Sequence, residues 1–97
     1  MAEMIFHPEA RAELRATAVY YGSFRTGLGR EFLTQVENAA SLVLSNPHAG
    51  GIIRAPYRRL ITRRFPYGVI YRYAGNVIYV VAIMHLKRRP GYWLWRT

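Results

Sequence analysis

The sequence contains neither cysteine nor aspartate, and its five acidic residues are all glutamates. Without cysteine no disulfide can staple the fold, which suits a reducing compartment, so we expect a cytoplasmic protein. The three histidines are scattered and have no cysteine or aspartate beside them, so we expect no metal site and no cofactor. The longest apolar run, residues 77–84, is too short to cross a bilayer. The N-terminus lacks the basic region and apolar run of a signal peptide, and no membrane association is expected.

Acidic residues are also missing from the last 60 positions, although ten basic residues lie there. The first 37 residues, by contrast, hold four arginines and five glutamates. Such an asymmetry between the two halves of a chain predicts a polyanionic partner, either nucleic acid or a very acidic protein segment. The ten basic residues are Arg54, Arg58, Arg59, Arg63, Arg64, Arg72, Lys87, Arg88, Arg89 and Arg96.

Helical periodicity dominates the first half of the chain. Residues 4–6 form a short apolar run and predict a first strand. Pro8 is well placed as the first residue of a helix, which is expected to end at Gly22. A second helix is predicted from about Gly27 to Asn46, because apolar residues recur there at helical spacing and a proline follows.

Alternating periodicity replaces the helical pattern after Gly50 and Gly51, which are expected to form a loop. The last of the strands that follow is apolar on both faces, as in a strand that is covered on both sides. The predicted fold is therefore α+β in the order β-α-α-β-β-β, a single domain over residues 1–97. Its two N-terminal helices pack on a small, mainly antiparallel sheet, and a polar tail begins at His85. The three predicted strands of this half are residues 57–64, 67–73 and 77–84.

Three short strings, in this order on these elements, resemble the RelE/ParE superfamily of bacterial type II toxins. They are residues 6–10 (FHPEA), 63–67 (RRFPY) and 85–93 (HLKRRPGYW), and the ending looks closest to the ParE-like branch. The resemblance implies a toxin that is made with a cognate antitoxin and forms a hetero-oligomer with it. ParE-like members inhibit DNA gyrase by binding it and so block replication. RelE-like members enter the ribosome and cut messenger RNA without a metal ion.

We therefore expect a gyrase-binding toxin with no catalytic residues of its own. The alternative is a ribosome-dependent mRNA endoribonuclease, and a third option is a basic nucleic-acid-binding module without a toxic role. The residues expected to bind the target or the antitoxin are Arg58, Arg59, Arg63, Arg64, Arg72, Lys87, Arg88, Arg89, Tyr92 and Trp93.

The five arginines of residues 58–72 have two interpretations. Arginine on the open face of an antiparallel sheet hinders aggregation between strands. Five of them without a local acid exceed that need and favour an anion-binding face, since arginine binds phosphate and carboxylate through the same two-pronged geometry. The antitoxin is accordingly expected to bring an acidic, amphipathic C-terminal segment. Its apolar residues would follow a groove on the helices and sheet, and its acids would lie near Arg58, Arg59 and Arg64.

A nuclease would need a group that titrates near neutral pH, and His85 is the candidate because it ends the strongest strand. A structural role for His85 is favoured, since some RelE-like enzymes pair such a histidine with a glutamate on a middle strand, and no acid is present there. The aromatic residues of the tail could form a base-stacking and phosphate-binding patch, which would comprise Tyr92, Trp93 and Trp95 beside Lys87, Arg88 and Arg89. Trp93 is instead interpreted as closing the core, and so is the stripe of Tyr67, Val69, Tyr71 and Tyr73. Tyr20 and Tyr21 are also expected to pack. If the chain is a nuclease, the candidate catalytic residues are His85, Arg63, Arg72, Arg88 and Tyr92.

Overall fold

The computed structural model describes residues 2–96, which form one five-stranded sheet with two helices on one of its faces. The sheet order is β1-β5-β4-β3-β2, in which β1 is parallel to β5 and all other neighbours are antiparallel. This arrangement confirms the predicted α+β fold. The elements are β1 (Glu3–Phe6), α1 (Pro8–Gly22), α2 (Leu28–Ser45), β2 (Gly51–Arg54), β3 (Tyr57–Ile61), β4 (Tyr67–Ala74), β5 (Val77–His85) and a 3₁₀ turn (Leu94–Arg96).

Strand β2 was not predicted, because Gly51 was expected to lie in a loop. All four of its residues are exposed, so it carries no buried alternation that would reveal a strand. Its conformation is set by main-chain pairing with β3 at the edge of the sheet. Strand β3 is also shorter than predicted and ends at Ile61. There the Thr62 hydroxyl turns the chain by donating to the carbonyls of Phe65 and Tyr67, both at 3.1 Å.

The two helices begin where local chemistry favours a helix start. At α1 the His7 Nδ1 accepts the Glu9 N–H at 3.0 Å, and Pro8 occupies the first helical turn. Helix α2 follows Gly27, whose φ of 87° is accessible to glycine at little cost. Within residues 2–96, neither helix is long and apolar enough to cross a membrane.

A β-bulge in β5 divides its side chains between two hydrophobic clusters. Ile70 pairs with Ala82 and Tyr71 pairs with Val80, so Val81 is an extra residue in the ladder. Side chains of β5 consequently contribute to a helix-facing cluster around Phe32 and to a second cluster on the opposite face. Strand β5 is buried on both faces, as its sequence predicted.

The predicted tyrosine stripe of β4 belongs to the core along most of its length. Tyr71 is fully buried, and Tyr67 packs against the helix-facing cluster. Tyr73, near the end of the strand, is 36% exposed. Tyr21 also packs, against the rings of Phe32, Phe65 and Tyr67. Tyr20 contacts the rings of Tyr21 and Phe24 but does not pack in the core, since it is 55% exposed.

We predict that Gly29→Ala destabilises the fold by about 1–3 kcal/mol, because a β-carbon at this buried position of α2 would collide with the Ala18 carbonyl of α1. Gly22→Ala is the matched control, since a β-carbon there meets nothing within 4 Å. It should shift stability by less than about 1 kcal/mol and in the stabilising direction. Urea unfolding of the three proteins measures both effects, and equal stability of the two variants would contradict the close helix contact.

Candidate functional site

The edge of β5 loses its strand partner halfway along its length. Strand β1 ends at Phe6, opposite Val80, and the His7 N–H then donates to the Val80 carbonyl at 2.8 Å. Beyond this point, no strand among residues 2–96 pairs with that edge. Two side chains take over its hydrogen bonds. Glu13 Oε1 accepts the Ile83 N–H at 3.0 Å, and Arg96 Nη1 donates to the Val81 carbonyl at 3.1 Å.

The Glu13 carboxylate also binds the segment that follows β5. This segment, residues 86–96, is called the C-terminal segment. Arg96 Nη1 donates to Oε1 at 2.9 Å, and the Tyr92 hydroxyl donates to Oε2 at 2.8 Å. A third donor, Arg88 Nη1, lies 3.4 Å from Oε2. The side chain of Glu13 is only 14% exposed, so these charge-assisted bonds form in a poorly hydrated place. Three of the four donors around this carboxylate come from the C-terminal segment.

Tyr92 and the two arginines around it form one compact unit. The Arg88 guanidinium lies over the Tyr92 ring at 3.7 Å from its centroid, and that of Arg96 at 5.0 Å. Burial, and then the hydrogen bond to Glu13, raise the pKa of the Tyr92 hydroxyl far above its usual range. This hydroxyl is therefore a fixed donor at physiological pH. Arg88, Tyr92 and Arg96 are held by internal contacts, which their sequence neighbourhood did not indicate.

Trp93 lies beneath this unit on the face of the sheet opposite the helices. It is 1% exposed and meets the Tyr57 ring at a centroid distance of 4.7 Å. This position confirms that the tail folds back on the core and leaves Trp93 inaccessible for stacking on a base. Trp95, in contrast, is 68% exposed and touches the ring of His7.

The five arginines of residues 58–72 do not share one face. Arg58 turns to the edge of the sheet and donates to the Gly50 carbonyl at 2.8 Å. Its strand neighbour Arg59 lies on the opposite face, because consecutive strand side chains alternate, and its aliphatic stem covers Gly68. Arg72 lies over the Tyr79 ring at 4.2 Å. The arginines expected to bind an anion are therefore divided between the two faces of the sheet.

The remaining two arginines of this group occupy the β3–β4 loop. Arg64, with a left-handed φ of 70°, is bound to Glu31 at 2.7 Å. This bond holds the pKa of the exposed Glu31 carboxyl below its usual range. Arg63 is exposed beside an apolar groove between α2 and β3, with a volume of about 140 Å³. The groove is lined chiefly by Ala39, Leu42, Leu60, Ile61 and Arg63.

Two exposed cations without an internal partner lie elsewhere, on the outer side of the C-terminal segment. Lys87 and Arg89 are exposed, and no described residue offers either side chain an ion pair or a hydrogen bond. They flank Arg88, which binds Glu13. Of the cations proposed from the sequence for binding, these two and Arg63 are exposed and unpaired among the described residues, whereas Arg59 and Arg72 are unpaired but half-buried.

His85 faces the helix side of the sheet. Its Nδ1 accepts the Lys87 N–H at 3.0 Å, an arrangement that places the ring proton on Nε2 in the neutral form. The ring contacts Tyr67 at a centroid distance of 5.1 Å. Together with Thr17, Tyr20 and Tyr21, these two residues line an open cavity of about 380 Å³.

The candidate nuclease residues are brought together only in part. Arg88 lies against Tyr92, but Arg72 and His85 are far apart. Tyr67 pairs with His85 at one end of the β4–β5 hairpin, whereas Arg72 pairs with Tyr79 near the other. The two pairs lie five positions apart along β4, which corresponds to roughly 17 Å. Arg72 and His85 also lie on opposite faces, because Arg72 is an odd number of positions from Tyr67 along the same strand. Tyr92 is committed to Glu13.

Residues 4–90 match the model of a family described as the ParE toxin of the type II toxin-antitoxin system parDE. The chain belongs to this family. It is therefore a type II toxin, and membership implies an antitoxin partner. The toxin is 27% identical over 88 residues to Toxin RelE2 of Caulobacter vibrioides, an alignment that covers 91% of this chain and 99% of the relative.

A solved structure gives the same fold. It is the chromosomal ParDE toxin-antitoxin system from P. aeruginosa, which superposes with a TM-score of 0.65 at 22% identity and covers 88% of this chain and 96% of that one. The RelE/ParE resemblance read from the three sequence strings is thus confirmed.

We predict that Trp93→Ala costs about 3–5 kcal/mol of unfolding free energy, because it empties the centre of the cluster on the tail side of the sheet. Trp95→Ala removes an equal side chain from an exposed position two residues away and should cost less than about 1 kcal/mol. Chemical denaturation of both toxin variants measures the difference. Similar losses for the two would show that the tail does not close this core.

Proposed function

We propose that this toxin acts by binding DNA gyrase and thereby blocks replication, without catalytic chemistry of its own. The observation that carries the proposal is the match to the ParE toxin family over residues 4–90. The dispersal of the candidate catalytic side chains supports it, since general acid–base cleavage needs donor, acceptor and cations around one phosphate. Arg72 and His85 occupy opposite faces of the hairpin. A gyrase-directed toxin acts in the cytoplasm, where its target is found.

The surface we assign to the target is the outer side of the C-terminal segment. Lys87 and Arg89 are its exposed cations, and Trp95 adds an exposed ring two-thirds open to solvent. Such a combination suits a protein surface that carries carboxylates, because exposed charges steer encounter while an aromatic ring supplies contact area. The inner side of the same segment binds Glu13 and buries Trp93, so the position of its outer side is fixed.

Messenger RNA cleavage is the second candidate function, and one observation favours it. His85 lines a cavity of about 380 Å³ beside Tyr20, Tyr21 and Tyr67, where a base could stack and a proton could be transferred. The name of the Caulobacter relative, Toxin RelE2, points the same way. Against it, the residues that line this cavity include no carboxylate, so the histidine has no partner to share acid and base roles.

His85→Gln separates the two functions. Because binding needs no proton transfer, we expect the variant to arrest growth and to inhibit gyrase supercoiling as the wild-type toxin does. A nuclease that uses His85 would lose about 10²-fold or more of its cleavage rate. Supercoiling assays with purified gyrase and cleavage assays on translating ribosomes measure both activities. Loss of growth arrest in a folded variant, with mRNA cleavage by the wild type, would replace the gyrase proposal with the nuclease one.

For the antitoxin, we propose that its apolar residues occupy the groove between α2 and β3. Leu42 and Ile61 are each about half exposed there, and such open apolar area is characteristic of a docking groove. Arg63 borders the groove and is free to meet an acidic side chain. Of the three arginines expected to meet the acids of the antitoxin, Arg58 and Arg64 already have partners within the chain, and Arg59 lies over Gly68 and does not line the groove. Arg63 is therefore the better candidate on this side of the toxin.

Leu42→Asp should weaken binding of the cognate antitoxin by at least about tenfold, because it places a carboxylate in an apolar groove. Val19→Asp is the matched control, since Val19 is 74% exposed on α1, outside the groove, and the substitution adds the same charge. Calorimetry at two salt concentrations measures affinity and its electrostatic part, which rising salt should reduce. Equal losses for both variants would place the antitoxin elsewhere.

A further inference from the structure

Apart from the Leu86 N–H, which donates to the Pro66 carbonyl, the C-terminal segment makes only short-range main-chain bonds, such as Leu94 N–H to Gly91 and Arg96 N–H to Trp93. Among residues 2–96, the main-chain bond that links it to the sheet after Leu86 is Arg88 N–H to His85, three positions earlier in the chain. Its attachment to the body therefore depends on side chains. Trp93 supplies apolar burial, which is favourable but has no preferred direction. The charge-assisted hydrogen bonds to Glu13 are directional and fix how the segment lies.

We propose that Glu13 is a positioning residue, which latches the C-terminal segment to the open edge of β5 and thereby presents Lys87 and Arg89 to the target. The identity of that target rests on the proposed function, whereas the latch itself does not. Arg88 lies between the two presented cations and is one of the three residues of the segment that Glu13 binds. The latch therefore acts at the centre of the surface that it orients.

Two buried polar groups without partners indicate that the contacts of the C-terminal segment with Glu13 serve more than stability. The Nε1 of Trp93 and the Nε of Arg96 are buried and find no hydrogen-bond partner in residues 2–96. Buried polar groups left unpaired are unfavourable, and a buried ion pair often stabilises a protein less than apolar side chains of the same size. An arginine and a carboxylate are nevertheless placed here, and they bond the Val81 carbonyl and the Ile83 N–H with directional hydrogen bonds.

The latch is tested first without any target. Trypsin cuts after Lys87 or Arg88 only when the segment opens locally, so the rate of this cut reports the open population. We expect Glu13→Gln to accelerate the cut by about tenfold or more, since hydrogen bonds to a charged group are lost or weakened. Glu37→Gln, an equal change of charge at an exposed position of α2, should leave the rate unchanged.

If Glu13→Gln does not fold, Tyr92→Phe tests the latch in its place. It removes one hydroxyl donor and retains the ring beneath Arg88, and we expect it to accelerate the cut by about threefold to tenfold. Unchanged cleavage in folded Glu13→Gln or Tyr92→Phe protein would overturn the latch, whatever the toxin binds.

Positioning is then tested by a double-mutant cycle with purified DNA gyrase. Changing both Lys87 and Arg89 to Gln should weaken binding of the wild-type toxin by roughly tenfold. The same two changes in the Glu13→Gln background should weaken it by less than about twofold, because the cations are no longer held against the target. Additive losses would mean that Glu13 only stabilises the fold and would overturn the positioning role. If the wild-type toxin does not bind gyrase, the proposed function is overturned. The trypsin cleavage rates then remain as the test of the latch.

Discussion

The structure depends on one carboxylate at the point where the sheet loses an edge strand. Strand β1 covers only half of β5, and the second half would otherwise expose main-chain groups that need partners. Glu13 meets this need and simultaneously binds Arg96, which lies 83 positions further along the chain. Removing one partner from such a poorly hydrated pair typically costs about 3–5 kcal/mol. Helix, sheet and C-terminal segment therefore converge on a single side chain.

This network changes the meaning of the charge asymmetry between the two halves of the sequence. The basic half contains no acid of its own, yet part of its charge is neutralised by the acidic half in space. Glu13 pairs with Arg88 and Arg96, and Glu31 pairs with Arg64. Charge that lacks a partner nearby in sequence is thus not always charge offered to another molecule. The surplus that is offered is smaller than the sequence suggests, and Lys87 and Arg89 of the C-terminal segment are among its exposed members.

Elements with a strong local pattern could be predicted from the sequence. The apolar run of β5, the stripe of α2 and the proline at the start of α1 placed these elements close to their observed bounds. The edge strand β2 could not be predicted, because its residues are all exposed and its strand form comes from pairing with β3. The sequence did not show how the arginines of residues 58–72 are divided between the faces of the sheet. Arg58 and Arg59 are neighbours on a strand and must point to opposite sides.

The importance of Glu13 could not be read from the sequence either. It stands in the first half of α1, where an acid is also expected for its interaction with the helix dipole. Its four donors come from residues 83–96, and no local pattern connects positions so far apart. The alternation of β5 likewise hides the bulge at Val81, which moves side chains between the two faces. Both features follow from tertiary pairing, which a one-dimensional pattern does not record.

The parallel pairing of β1 with β5 also constrains the order in which the sheet can form during synthesis. Among the described strands, β1 is made before the others, but it pairs with β5, which is made after them. The helices can form early, since their hydrogen bonds are local, while residues 3–6 wait for residues 77–80. The bond between Glu13 and Arg96 closes later still. A nascent chain therefore carries an incomplete sheet until residues 77–80 have emerged, and an incomplete C-terminal segment until Arg96 has.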